Sequence, residues 1–123
     1  LTANTNYSFI LQLQCTTGAT SDIKMQFAFS AAISSFSANV MMPTGQTLGD
    51  TVSDYSFWGF DGYTNVPLIS GDESTGYFNR IIIMGSFRTS AAVTLALQWA
   101  QKSAVAFDTT IHKYSSLTIN AQT

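Results

Sequence analysis

Apolar and polar residues alternate along most of this chain with a period of two, which is typical of β-strands with one buried face. The segment "YSFILQLQC" (7–15) shows the pattern clearly, because every second residue is apolar: Tyr7, Phe9, Leu11, Leu13 and Cys15. Ser8, Gln12 and Gln14 lie on the opposite face. The pattern predicts a half-buried strand.

Two more segments repeat this alternation. "IKMQFAFS" (23–30) directs Ile23, Met25, Phe27 and Phe29 to one face, and "TTGATSD" (16–22) before it is rich in turn residues. We therefore expect the first two strands to pair as an antiparallel pair joined by a loop. "FSANVMM" (36–42) predicts a third strand, which we expect to end at Pro43 because proline has no amide to donate to a sheet.

The later part of the chain predicts further strands. "FNRIIIMGSF" (78–87) is apolar on both sides, with Ile81 and Ile83 facing one way and Ile82 and Met84 the other, which is typical of a central strand covered on both faces. "RTSAA" (88–92) is expected to be a hairpin loop leading into the strand "TLALQWAQ" (94–101). "FDTTIHKYSSLTIN" (107–120) supplies one or two more strands.

Six to eight short strands without a convincing helical segment predict an all-β fold, an antiparallel β-sandwich that is jelly-roll-like. We expect one domain over residues 1–123, with a long loop-rich excursion at 43–76. The inner faces of the sandwich should carry the apolar residues Phe9, Leu11, Phe27, Phe29, Ile81, Ile83, Leu95, Leu97 and Trp99.

Charged residues make up only 10% of the chain, against about a quarter in typical domains, so much of the surface must be neutral. Such surfaces suit permanent protein contacts, because burying Ser or Gln costs less than burying Lys or Glu. A secreted domain with a plain polar coat is the alternative. The net charge is −2 and the basic residues are scattered, which argues against binding of nucleic acid.

The strand at 94–101 carries the clearest candidate contact surface. Leu95, Leu97 and Trp99 are expected to face the core, whereas Ala96, Gln98 and Ala100 form a small, amide-bearing face. This second face permits close approach, and its amide can exchange hydrogen bonds with another subunit. We predict a subunit interface at Ala96, Gln98 and Ala100.

Groups that could carry catalysis or bind a metal are few, so we predict no enzymatic activity, no cofactor and no metal site. Cys15 and His112 are the only residues of their kinds; we expect a buried Cys15 and a structural or exposed His112. For the carboxylates of the excursion, solvated loop positions are favoured over a calcium or glycosidase site; these carboxylates are Asp50, Asp54, Asp61, Asp72 and Glu73. No apolar run reaches the roughly 18 residues of a membrane span.

The stretch "DYSFWGFDGY" (54–63) concentrates aromatic residues in what the pattern predicts to be a loop: Tyr55, Phe57, Trp58, Phe60 and Tyr63. Aromatic rings beside carboxylates and glycines can stack on sugar rings, so a glycan-binding tip is one hypothesis. The favoured alternative is that some of these rings close the end of the sandwich or pack across a subunit boundary.

Two long segments carry a resemblance to a known family. "LTANTNYSFILQLQCTTGATSDIKMQFAFS" (1–30) and "IIIMGSFRTSAAVTLALQWAQKSAVAFDTTIHKYSSLTINA" (81–121) resemble the C-terminal β-sandwich domain of tailed-phage virion proteins, which include fibre and head-decoration proteins. The most specific feature is "DIKMQFAF" (22–29) followed at this separation by "LQWAQ" (97–101). The chain departs from the family's pattern at "SAAI" (30–33), where "GP" is usual, and at "YSSL" (114–117), where "GSWL" is usual.

The resemblance implies a non-enzymatic virion structural protein that decorates a phage capsid or ends a head or tail fibre. It implies a homo-oligomer, with a trimer favoured, on the surface of the phage particle. The partners it implies are other virion proteins, with a host surface polysaccharide as a further candidate. Because the chain begins at Leu1 rather than Met, we also expect that an N-terminal anchoring segment is missing from it.

Overall fold

The computed structural model describes residues 1–16, 23–44, 54–63, 66–67, 79–101 and 109–122. Within these ranges the chain forms nine β-strands and no helix. The strands are β1 (Asn6–Thr16), β2 (Ile23–Phe29), β3 (Ile33–Thr44), β4 (Asp54–Phe60), β5 (Val66–Pro67), β6 (Asn79–Thr89), β7 (Leu95–Gln101), β8 (Thr110–Ile111) and β9 (Ser116–Gln122). Every strand pair is antiparallel, so the predicted all-β class is confirmed.

The strands form two sheets of unequal size. The large sheet has the order β4-β3-β6-β1, with β8 and β9 both pairing with the far side of β1. The small sheet has the order β5-β2-β7. Two of the nine described strands, β5 and β8, have only two residues each, so the seven longer strands agree with the expected six to eight. Jelly-roll connectivity stays a prediction.

The inner faces of the two sheets meet in an aromatic core, which makes the fold a β-sandwich. Phe9 of the large sheet and Phe27 of the small sheet have ring centroids 5.1 Å apart. Phe36 lies 5.8 Å from Phe9 and 5.5 Å from Phe27. These tilted arrangements suit aromatic pairs, and aromatic rings contribute much of a core's buried area. Alternation places these rings inward, as the pattern of β1 and β2 predicts.

Gly85 makes room for the Phe9 ring at the centre of the large sheet. The two residues are register partners on β6 and β1. A Cβ atom at Gly85 would lie 2.8 Å from Cε1 of Phe9 and 2.4 Å from the backbone carbonyl oxygen of Ser37. Both distances are shorter than carbon atoms tolerate, so the close packing of Phe9 requires glycine here.

A hydrogen-bonded segment at the N-terminus ties residues 1–5 to the end of β6. The fully buried hydroxyl of Thr89 donates to the Thr2 carbonyl at 2.6 Å, and the Thr5 amide donates to that hydroxyl at 3.2 Å. The N-terminal ammonium group of Leu1 donates to the Val93 carbonyl at 2.9 Å. The buried polar group of Thr89 is therefore satisfied, as buried hydroxyls in stable folds usually are.

The expected pairing of β1 with β2 is wrong. β1 pairs with β6, β8 and β9, whereas β2 pairs with β5 and β7, so the two strands lie in opposite sheets. The expected hairpin at 88–92 is also wrong, because β6 and β7 lie in different sheets as well. Alternation specifies which side of a strand is apolar, but an apolar side can be buried either beside a neighbouring strand or across the core.

Three local expectations also need correction. β3 does not end at Pro43 but continues to Thr44. Its pairing with β6 ends before Pro43, so at Pro43 the strand pairs with β4 alone. The segment expected as a loop at 54–63 begins with strand β4. β6 is central, but its second face is not covered by described residues: Ile82 is half-buried and the Met84 side chain is 44% exposed.

Candidate functional site

The predicted contact surface on β7 lies on the outer face of the small sheet. Ala96, Gln98 and Ala100 are all exposed. Their register partners on β2 are Ala28, Gln26 and Lys24, so small or amide side chains cover most of this face and one ammonium group lies at its end. The structure thus places the three predicted residues together on one exposed face.

Gln26 and Gln98 pair across the two strands of this face. The side-chain amide nitrogen Nε2 of Gln26 donates to Oε1 of Gln98. A side-chain amide has two donor hydrogens and an acceptor oxygen, so each glutamine keeps further hydrogen-bonding capacity after this contact. The pair orders two exposed side chains without placing a charge on the surface. Sequence reasoning identified Gln98 but missed Gln26, because the register between β2 and β7 is needed to find it.

Trp99 differs from the core position expected for it. Leu95 and Leu97, on the same side of β7, are half-buried and pack against the core, but the Trp99 side chain is 44% exposed. Among the described residues β7 pairs with β2 alone. An edge position of this kind covers a side chain from one side only, which explains the partial exposure of Trp99.

Two hollows adjoin Trp99. One, of about 490 Å³, opens at the outer face of the small sheet, and its described lining includes Lys24, Gln26 and Gln98. The other, of about 220 Å³, lies between the sheets and is bounded by apolar side chains that include Leu13 and Leu117. Trp99 lines both hollows. The only sequence signal for these two hollows is an alternating strand that ends in tryptophan, alanine and glutamine.

The predicted aromatic cluster does not gather on one surface. Phe57 points outward and is 69% exposed. Phe60 packs against Phe36 at 5.9 Å, and Tyr63 contacts Phe29 edge-on at 5.3 Å. The side chains of Tyr55 and Trp58 lie outside the described part of the structure. Two of the five rings thus pack against the hydrophobic core.

Cys15 is fully buried, as predicted, and belongs to the hydrophobic core. Burial removes the thiolate from water and raises the pKa of this thiol to about 11. The group is therefore protonated at neutral pH and is a poor nucleophile.

His112 and the carboxylates form no compact reactive group in the described part of the chain. Nε2 of His112 lies 3.3 Å from the Thr16 hydroxyl, and its backbone amide donates to the Gln14 carbonyl. Asp61 is exposed; Asp50, Asp72, Glu73 and the side chain of Asp54 lie outside the described residues. Within those residues, no three His, Cys, Asp or Glu side chains approach closely enough to hold a metal ion. The same residues contain no helix long and apolar enough to cross a membrane.

No family model, curated protein or solved structure matches this chain.

Proposed function

We propose that this chain is a non-enzymatic structural module of a phage particle, which assembles as a homo-oligomer on the virion surface. In that setting it decorates the capsid or ends a head or tail fibre. The observation that carries the proposal is the neutral outer face of the small sheet, formed by the exposed residues Ala96, Gln98 and Ala100 with the half-buried Gln26 and Ala28. The phage setting rests on the resemblance of residues 1–30 and 81–121 to virion β-sandwich domains.

The composition of this face is suited to contact between proteins. Alanine side chains let another backbone approach closely, and amides can exchange hydrogen bonds across a contact without the large cost of burying a charge. Lys24 lies at one end of the face, where its ammonium group can stay in water while the rest is covered. Symmetric homo-oligomers are the commonest assemblies that use such a surface.

The solution mass of the chain, measured by light scattering over a range of concentrations, tests this proposal. An oligomer that persists on dilution supports it, and the resemblance implies three subunits. Gln98→Arg places a charge at the centre of the face and is expected to dissociate the oligomer. Ala91→Arg adds the same charge at an exposed position between β6 and β7 and should leave the mass unchanged. An oligomer that is indifferent to Gln98→Arg contradicts the proposed contact.

Binding of a host glycan is a second candidate function, favoured by one observation: the ring of Phe57 is 69% exposed. Exposed aromatic rings can stack on the apolar face of a sugar. Phe57→Ala should then abolish adsorption to host cells or binding to a glycan array while the chain stays folded. Phe60→Ala is the contrasting variant, since Phe60 packs against the core and its loss should lower stability first. Unchanged binding by Phe57→Ala would eliminate this candidate.

A further inference from the structure

The outer face of the large sheet carries an unexpected band of apolar side chains. Odd-numbered residues of β1 and β6 are buried, so their even-numbered residues point away from the core. Strand register aligns these outward residues with those of β3 and β4. The apolar band consists of Phe57 on β4, Met41 on β3, Ile82 and Met84 on β6, and Ile10 on β1.

The band is accessible to other molecules. Ile10 is 42% exposed and Met84 44% exposed, and they are register partners. Met41 and Ile82, also register partners, are half-buried by their neighbours on the same face. Scattered surface leucines or isoleucines are ordinary, whereas a contiguous apolar patch typically marks an interaction site.

The surroundings of the band are polar but carry almost no charge. One flanking row contains Ser37, Ser86 and Ser8 in register, followed by Asn120. The charged residues that the register places on this face are Arg80 and Arg88, which lie at opposite ends of β6. Among the described residues, the face between these arginines holds no charge. An apolar centre with a polar, neutral rim is the usual composition of a protein contact.

We propose that this face binds the same face of a second copy of the chain. Five strands about 4.8 Å apart and seven residues of about 3.4 Å each give a flat area of roughly 570 Å² per copy. Side chains that stand on a sheet raise the accessible area above this value. Stable interfaces bury about 600–1,000 Å² on each partner, so the face is large enough without any further element. Sheets commonly pack face to face in this way inside β-sandwiches.

The positions of the arginines favour one arrangement of the two copies. A two-fold axis that lies in the contact plane and crosses β6 at Ile83 would set Ile82 against Met84 of the second copy. The same axis would set Arg80 against Ser86 of the second copy, so that no arginine meets another. This contact is isologous, since both copies use the same residues, and two copies complete it.

The inference rests on the proposed function only in assuming that the chain self-associates, and it concerns a different surface. Sedimentation equilibrium of the wild type, Met84→Lys and Gln98→Arg distinguishes the contact proposed here from the contact of the proposed function. Met84→Lys should weaken pairwise association by at least about 30-fold, the size typical of a central contact. Met84→Thr, which keeps β-propensity and adds no charge, should weaken it by less. Circular dichroism checks that each variant is folded.

Each outcome decides the inference. A wild-type dimer that Met84→Lys and Met84→Thr dissociate in this order, with both variants folded, supports it. A wild-type chain that is monomeric at every concentration overturns it. An oligomer that Gln98→Arg dissociates and Met84→Lys leaves intact also overturns it, but supports the proposed function. A trimer that Met84→Lys leaves intact likewise overturns the inference and supports the proposed function, because an isologous pair does not produce three subunits.

Discussion

The central strands of the large sheet and the edge strand β7 of the small sheet bury their inward side chains to different degrees. In the large sheet, Phe9, Leu11 and Ile83 are almost fully buried on strands that have partners on both sides. In the small sheet, the β7 side chains Leu97 and Trp99 face the same core but are half-buried and 44% exposed, respectively. Alternation is equally regular in both places. The difference shows that an inward orientation on the edge strand β7 does not by itself bury a side chain completely.

The largest difference between the sheets should appear when one aromatic ring is removed from each. Phe9→Ala is expected to lower the free energy of unfolding by about 4 kcal/mol, because it deletes a ring that contacts three other aromatic residues. Trp99→Ala should cost less than about 2 kcal/mol, since much of the indole is already in water. Urea unfolding of both variants measures the difference. Equal losses would mean that the two sheets are equally well packed.

A second comparison lies within the large sheet, between its centre and its edge. Gly85→Ala should destabilise by about 3 kcal/mol, because the added methyl group meets a backbone carbonyl that cannot move away. Gly59→Ala on the edge strand β4 meets the end of the Asn39 side chain at 3.1 Å, which can rotate, and should cost under about 1 kcal/mol. Thermal unfolding of the two variants tests this. A stable Gly85→Ala variant would contradict the close packing of Phe9.

The buried thiol of Cys15 gives the large sheet a dependence on alkaline pH. Burial raises its pKa from the usual 9.0 to about 11, so the folded state holds the proton more tightly than the unfolded state. Stability from this group is complete below pH 9 and declines as pH rises through 11, by about 2 to 3 kcal/mol. Chemical unfolding at pH 8, 9.5 and 11 should show the decline. Cys15→Ala is the control and should lose this part of the pH dependence.

The smallest expected effects concern two hydroxyl groups whose hydrogen bonds join neighbouring segments of the chain. Thr89→Val removes a buried hydroxyl that serves Thr2 and Thr5, and should cost about 1 to 2 kcal/mol. Ser30→Ala removes an exposed bond to the Thr94 amide at the end of the small sheet, and should cost about 0.5 kcal/mol. Thermal unfolding measures both. A larger loss of stability for Ser30→Ala than for Thr89→Val would contradict this order.

The candidate surfaces were predictable to different extents. Alternation in "TLALQWAQ" was sufficient to identify Ala96, Gln98 and Ala100 as one face, because that inference needs only a single strand. The apolar band was not identified, since Ile82 and Met84 were interpreted as a covered second face of β6. Its members come from four strands that are far apart in sequence, and only the register aligns Met41 with Ile82 and Ile10 with Met84.

The aromatic segment 54–63 also depends on a strand that is distant in sequence, so its structure could not be inferred from the segment alone. Its composition predicts a loop, because glycine and aspartate interrupt the aromatic residues. The structure pairs residues 54–60 with β3 and directs Phe60 to the core while Phe57 faces outward. Pairing with an existing strand can outweigh weak local propensity, because β-structure depends strongly on the neighbours that a strand finds.

The sequence by itself determined the all-β class, the positions of β1, β2, β3, β6 and β7, and which side of each of these strands faces the core. These features follow from alternation within single segments, so no distant residue is needed to infer them. The tertiary structure decided that β1 and β2 lie in opposite sheets, that Trp99 stays half-exposed and that five apolar side chains share one outer face. A strand's apolar side gains similar burial from many partners, so the partner is selected only when all the strands pack together.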